Sequence, residues 1–151
     1  TFDVNNTLDD KKPQLFVAPH QDHARRIKQL VAVLRRSDVV TSIALLQINE
    51  DQQSLNALRG ELEAINVPLA PIWAASGEGL LTSSVERTKG LEFDACIVLG
   101  LEAVESAALN FTLNRAYVAL SRPARRLALI CSEYPPLLRK LDKSLFDVTQ
   151  S

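Results

Sequence analysis

The sequence predicts an α/β fold with a largely parallel central sheet covered on both faces, and three observations lead there. Short stretches that are apolar almost throughout recur along the chain: Gln14 to Ala18, Ile43 to Ile48, Ala95 to Gly100 and Leu127 to Cys131. Strands buried on both faces read in this way, because helices cover both sides of a parallel sheet. Amphipathic helical stretches alternate with those strands, which is the pattern of a three-layer α/β/α sandwich. Finally, 151 residues with 46% hydrophobic and 23% charged side chains suit one domain with one core and exclude a disordered chain.

The elements follow in order. Residues 1–13 are polar and aperiodic, with Asn5, Asn6, Asp9, Asp10, Lys11 and Lys12, and read as a linker or arm. Residues 14–151 then form a single domain. Gln14 to Ala18 is a buried strand ended by Pro19. Ala24, Ile27, Leu30, Val31 and Leu34 repeat at steps of three and four, so a helix follows with its arginines and lysine on other faces. After the strand at Ile43 to Ile48, a second helix carries Leu55, Leu58, Leu62 and Ile65 on one stripe, until Pro68 stops it. Gly60 inside that helix costs about 1 kcal/mol of propensity relative to alanine. Pro71 to Trp73 is a third short strand, and Gly77 and Gly79 mark a flexible loop. Leu80 to Val85 and Ala95 to Gly100 are strands around the polar turn Glu86 to Asp94. A third helix is expected from Ala107 to Leu120, then the strand Leu127 to Cys131 and a last short helix from Pro136 to Leu141.

Charge and cysteine content narrow the function. The net charge is -1 and the isoelectric point about 6.1, so bulk charge alone does not grip nucleic acid or an anionic membrane. No apolar run is long enough to span a bilayer, so no membrane partner is expected. Two cysteines make no disulfide framework; both fall in apolar strands and read as small buried hydrophobes. A reducing, cytoplasmic setting fits. The chain has no Met and opens on Thr1, so it reads as an excised piece of a larger protein.

In a parallel sheet, ligands gather in the loops at strand ends. Two polar stretches stand there: Ser84 to Asp94, containing TKGLEFD, and Asn114 to Arg122, NRAYVALSR. Together, in this order and spacing, they resemble motifs V and VI of UvrD/Rep-like superfamily 1 helicases. The resemblance covers residues from about 14 to 141. It implies the C-terminal RecA-like motor domain of an ATP-dependent DNA helicase. In that family ATP binds between two RecA-like domains, and single-stranded DNA crosses the top of both.

Residue by residue, the resemblance makes Arg122 the arginine finger toward the γ-phosphate, a role suited to a permanently charged planar fork. It makes Glu92 a hydrogen-bond acceptor for the ribose and Gly90 a point of close backbone approach to the phosphates. Lys89 joins them on the ATP side. Ser84 stands where the family touches the DNA backbone, with Glu86 and Arg87 beside it, and Tyr117 packs with its polar tip toward the cleft. Gln47 falls where the resemblance expects a motif IV arginine facing the γ-phosphate. Glu86 replaces a histidine, and Pro123 replaces alanine after the finger. The short interval from Ile97 to Phe111 leaves no room for a large inserted subdomain.

No G-x-x-x-x-G-K-[ST] occurs in the 151 residues. The phosphate cradle and the Mg2+ ligands therefore belong to the N-terminal RecA-like domain of the parent chain, and this chain alone is not expected to hydrolyse ATP. The alternative is a non-catalytic module that kept the fold and binds DNA or protein, which Gln47 and Glu86 favour. An unrelated nucleotide-binding α/β domain is a third reading. His20, Asp22 and His23 sit together at a helix start and read as dipole and capping residues rather than metal ligands. Arg115 and the pair Arg125 and Arg126 read as solvated surface.

Overall fold

A computed structural model of the chain describes residues 13–36, 40, 42–48, 52–67, 69–71, 80–83, 93–103, 123–139 and 146–150. Among them, seven strands form one all-parallel sheet: β1 (Gln14–Val17), β2 (Ile43–Gln47), β3 (Leu69–Pro71), β4 (Leu80–Ser83), β5 (Phe93–Leu99), β6 (Pro123–Cys131) and β7 (Asp147–Gln150). Their order across the sheet is β3-β4-β2-β5-β6-β1-β7. Two helices are described, α1 (His23–Arg35) and α2 (Gln52–Ala64).

The steps from β1 to β2 and from β2 to β3 run in the same direction across the sheet. Parallel crossovers are right-handed, so α1 and α2 must lie on the same face. They do. Ile27, Leu30 and Leu34 of α1 and Leu62 of α2 share one buried cluster with Leu45, Ile97 and Ile130 of the sheet. The steps from β5 to β6 and from β6 to β7 run the opposite way across the sheet, and the described residues that follow β5 and β6 pack on the other face. There, Leu101 after β5 and Leu138 after β6 pack on Leu46, Cys96, Val98 and Leu129. Neighbours along one strand thus alternate between two cores, Ile97 with one and Val98 with the other, which is why these strands are apolar at every position.

Helix α2 ends on a Schellman motif rather than on proline. Asn66 takes a left-handed φ of 67°, its amide donates to Glu63 O at 3.1 Å, and Val67 donates to Leu62 O at 2.8 Å. Asparagine tolerates that region better than most residues, and the buried Val67 closes the motif against Leu62. At Gly60 a Cβ would meet nothing within 4 Å. Gly60→Ala is therefore expected to stabilise the domain by about 1 kcal/mol, read as a rise of about 2–4 °C in the thermal midpoint of this chain.

Several boundaries differ from the sequence reading. The third strand is Leu69–Pro71, with Pro71 on an edge strand, where a missing amide donor costs least. Strands β5 and β6 begin earlier than expected, at Phe93 and Pro123. Leu127 to Cys131 is only the apolar half of β6; Arg125 and Arg126 lie in the strand, half-buried rather than on open surface. The last helix is a single 3-10 turn, Pro136–Leu138. Strand β7 was not foreseen: Asp147 to Gln150 is exposed throughout and pairs only with β1. The linker apart from Pro13, the helix expected at 107–120 and the loop with Gly77 and Gly79 lie outside the described residues. No helix among those described is long and apolar enough to cross a membrane.

Candidate functional site

The candidate residues concern both edges of the sheet. At the carboxyl edge, a cleft of about 230 Å³ opens over the ends of β2, β5, β6 and β1. Its lining includes His23, Gln47, Glu61, Gly100, Glu102 and Ser132. This is where ligands of parallel sheets bind, because the chain leaves β2 and β1 toward one face and β5 and β6 toward the other, opening a crevice between them.

Each wall of the cleft has a local cause. Gly100 adopts φ 90°, a left-handed turn that glycine makes without strain, and sends the chain out of β5. Glu102 then reaches across to the end of β6, where its Oε2 accepts from Ser132 N at 2.8 Å and from Ser132 Oγ at 3.0 Å. Cys131, next to Ser132, is fully buried, and burial together with the Glu102 carboxylate pushes its thiol well above the ordinary range. It stays protonated and inert. Cys96 is equally buried on the neighbouring strand β5.

On the third wall, the expectation that His20, Asp22 and His23 cap α1 is not met. Asp22 is the last residue of a 3-10 turn, His20–Asp22, and keeps helical backbone angles (φ -97°, ψ -4°), so its side chain makes no capping hydrogen bond. It pairs with Arg25 at 3.1 Å instead. His23 is buried, and its Nε2 lies 2.8 Å from Ala18 O. A carbonyl only accepts, so this nitrogen carries the proton. The rings of His20 and His23 stand 4.8 Å apart. Among the described residues, no three His, Cys, Asp or Glu side chains come together to hold a metal ion.

The amino edge is organised around the starts of β2, β5 and β6. Phe93 and Pro123, the first residues of β5 and β6, are register partners. Immediately after them the register shifts, with Ala95 opposite Arg126, so β6 carries one extra residue. Proline at this position withholds no ladder donor, since it opens the strand. Ser42 clamps β5 from the other side through three bonds. Its amide donates to Asp94 Oδ2 at 3.2 Å, and Asp94 N donates to Ser42 Oγ at 3.0 Å. Ala95 N donates to Ser42 O at 3.0 Å.

Of the residues that the resemblance assigns to ATP or DNA, Gln47 alone is described. It is half-buried at the carboxyl end of β2, paired with Leu99. Ser84, Glu86, Arg87, Lys89, Gly90, Glu92, Arg115, Tyr117 and Arg122 lie outside the described residues. The paired Phe93 and Pro123, which follow Glu92 and Arg122 in the sequence, open β5 and β6 at the amino edge. Strand β5 spans roughly 20 Å between these edges at about 3.3 Å per residue. Gln47 is therefore not brought together with the starts of β5 and β6. Sequence reading missed Ser42 and Glu102. Ser42 precedes an apolar run and Glu102 follows one, and only the sheet order brings their partners to them.

No family model and no curated protein sequence matches the chain. Solved structures do. The fold is that of RecA-like helicase C-terminal domains. The chain superimposes on the C-terminal domain of a possible DNA helicase from Lactobacillus plantarum WCFS1 with a TM-score of 0.74 and 22% identity, covering 91% of this chain and 85% of that one. It also resembles the C-terminal domain of the DEAD-box protein Dbp5, with a TM-score of 0.56 and 11% identity over 95% of this chain and 92% of that one.

Proposed function

We propose that this chain is the C-terminal motor domain of a UvrD/Rep-like superfamily 1 DNA helicase, supplying an arginine finger and part of a single-stranded DNA track. The pairing at the amino edge carries this reading: Phe93 and Pro123, which open β5 and β6, are register partners, and in the sequence each directly follows one of the two motif residues, Glu92 and Arg122. The helicase-domain neighbours support the same reading through the shared fold.

In this assignment Arg122 faces the γ-phosphate of an ATP held by the partner domain, and its guanidinium offsets the charge that builds on the transferring phosphoryl group. Glu92 accepts from the ribose, while Gly90 and Lys89 line the approach to the phosphates. The Ser42–Asp94 clamp fixes the start of β5, the strand that follows Glu92 in the sequence. The Mg2+ ligands are assigned to the partner domain together with the P-loop, because no G-x-x-x-x-G-K-[ST] occurs in these 151 residues. Ser84, Glu86 and Arg87, which follow β4 at the carboxyl edge, serve single-stranded DNA. Gln47 is assigned with them, because the cleft it lines is at the carboxyl edge, away from the amino ends of β5 and β6. Closing and opening of the two domains around each ATP would move them along the strand.

ATP turnover by the protein that joins this chain to its P-loop domain, with and without single-stranded DNA, tests the reading. DNA-stimulated turnover is expected, with none from this chain alone. Absence of turnover despite an intact P-loop would leave the fold as a binding module, the reading that Glu86 in place of a histidine favours.

A further inference from the structure

We infer that the outer face of α1 is a docking surface for the phosphate backbone of double-stranded DNA, separate from the single-strand track. Residues 23–36 hold Arg25, Arg26, Lys28, Arg35 and Arg36 and no carboxylate, in a chain whose net charge is only -1. Arg26 is not part of the face: its guanidinium lies 4.9 Å from the centre of the Phe16 ring, and Nη1 donates to Gln29 Oε1. The other four cations are exposed. At 3.6 residues per turn, Arg25, Lys28, Arg35 and Arg36 fall within an arc of roughly 100°, with the small Ala32 between them. The stripe runs for about 16 Å at 1.5 Å per residue. Arg25 is partly neutralised by Asp22, whereas Lys28, Arg35 and Arg36 have no ion pair among the described residues.

A duplex is the occupant this face fits. Single-strand sites add aromatic platforms on which bases stack, and α1 has no Phe, Tyr or Trp along its length. A straight row of cations without stacking partners instead matches the regular charge of a double helix, whose phosphates position a protein without reading sequence. The stripe also begins at the carboxyl edge, since His23 of α1 lines the cleft there. A duplex lying on α1 would thus be continuous with a strand crossing that edge. This surface goes beyond the motor-domain reading and does not depend on Arg122.

The test is the salt dependence of binding by this chain to a 20-base-pair duplex and to an oligo(dT) single strand. The variant combines Lys28→Gln, Arg35→Gln and Arg36→Gln, all exposed, with the fold checked by circular dichroism. The slope of log affinity against log salt for the duplex is expected to flatten by about 2–3, and oligo(dT) binding to stay unchanged. A control with Arg59→Gln and Arg139→Gln, both exposed and elsewhere, should leave the duplex slope as it was. An unchanged duplex slope in the α1 variant would overturn the inference. So would equal losses on oligo(dT), or no measurable duplex binding by the unmodified chain. Because ATP turnover is not measured, failure here and failure of the finger assignment are separate results.

Discussion

Replacing Arg122 by alanine is expected to lower DNA-stimulated ATP turnover by about a thousandfold in the protein that unites this chain with its P-loop domain. The loss should fall on kcat, with the KM for ATP changing only a few-fold. An arginine finger meets charge that develops in the transition state, and interactions stronger there than in the ground state act on the chemical step. Arg122→Lys should recover little, because an ammonium offers a point charge where the phosphoryl oxygens meet a planar fork. Glu92→Ala should behave differently and raise the KM for ATP, since a ribose hydrogen bond is made in the ground state as well. Steady-state kinetics on the three variants separates these roles. A drop shared by kcat and the folded fraction would point to stability instead.

The second large effect concerns the core. Ile97 is fully buried at the middle of β5, between β2 and β6, and packs against the α1 and α2 layer. Cutting it to alanine removes three carbons from a site walled by neighbouring strands, where the surroundings cannot collapse inward. Ile97→Ala is expected to cost about 4 kcal/mol and to lower the thermal midpoint of this chain by about 8–16 °C. Val148 on the exposed edge strand β7 is 38% exposed, and Val148→Ala should cost no more than about 0.5 kcal/mol. Thermal unfolding of the two variants side by side checks the contrast.

The central strands were legible in the sequence because burial on two faces leaves an unbroken apolar signature, as in IALLQ and ACIVL. The stripe of α1 was equally plain, since its apolar steps of three and four have no competing explanation. What escaped notice lies where tertiary context decides. Strand β7 is polar and exposed and exists because β1 offers it a free edge. The first half of β6, Pro-Ala-Arg-Arg, looks like a loop and is a strand because β5 pairs with it through a register shift. Asp22 looks like a helix cap but is held in helical angles by the 3-10 turn that it ends.

The candidate site divides in the same way. The helicase resemblance grouped Gln47 with Glu92 and Arg122 because it expects a motif IV arginine facing the γ-phosphate at that position. Sequence spacing does not say at which end of a strand a residue falls. The sheet places Gln47 at the carboxyl end of β2, away from the amino ends of β5 and β6. Under the proposed assignment, a nucleotide edge and a nucleic-acid edge are then separate, with β5 running between them.

That separation is most directly tested by comparing Gln47→Ala with Arg122→Ala in one series of ATP titrations at saturating single-stranded DNA, using the protein that carries both motor domains. If nucleotide lies at the amino edge, Arg122→Ala loses about a hundredfold or more of turnover, while Gln47→Ala keeps kcat and the KM for ATP within about twofold. A Gln47→Ala protein that needs about tenfold more ATP, beside an Arg122→Ala protein that turns over normally, would place the nucleotide at the carboxyl-edge cleft and contradict the assignment.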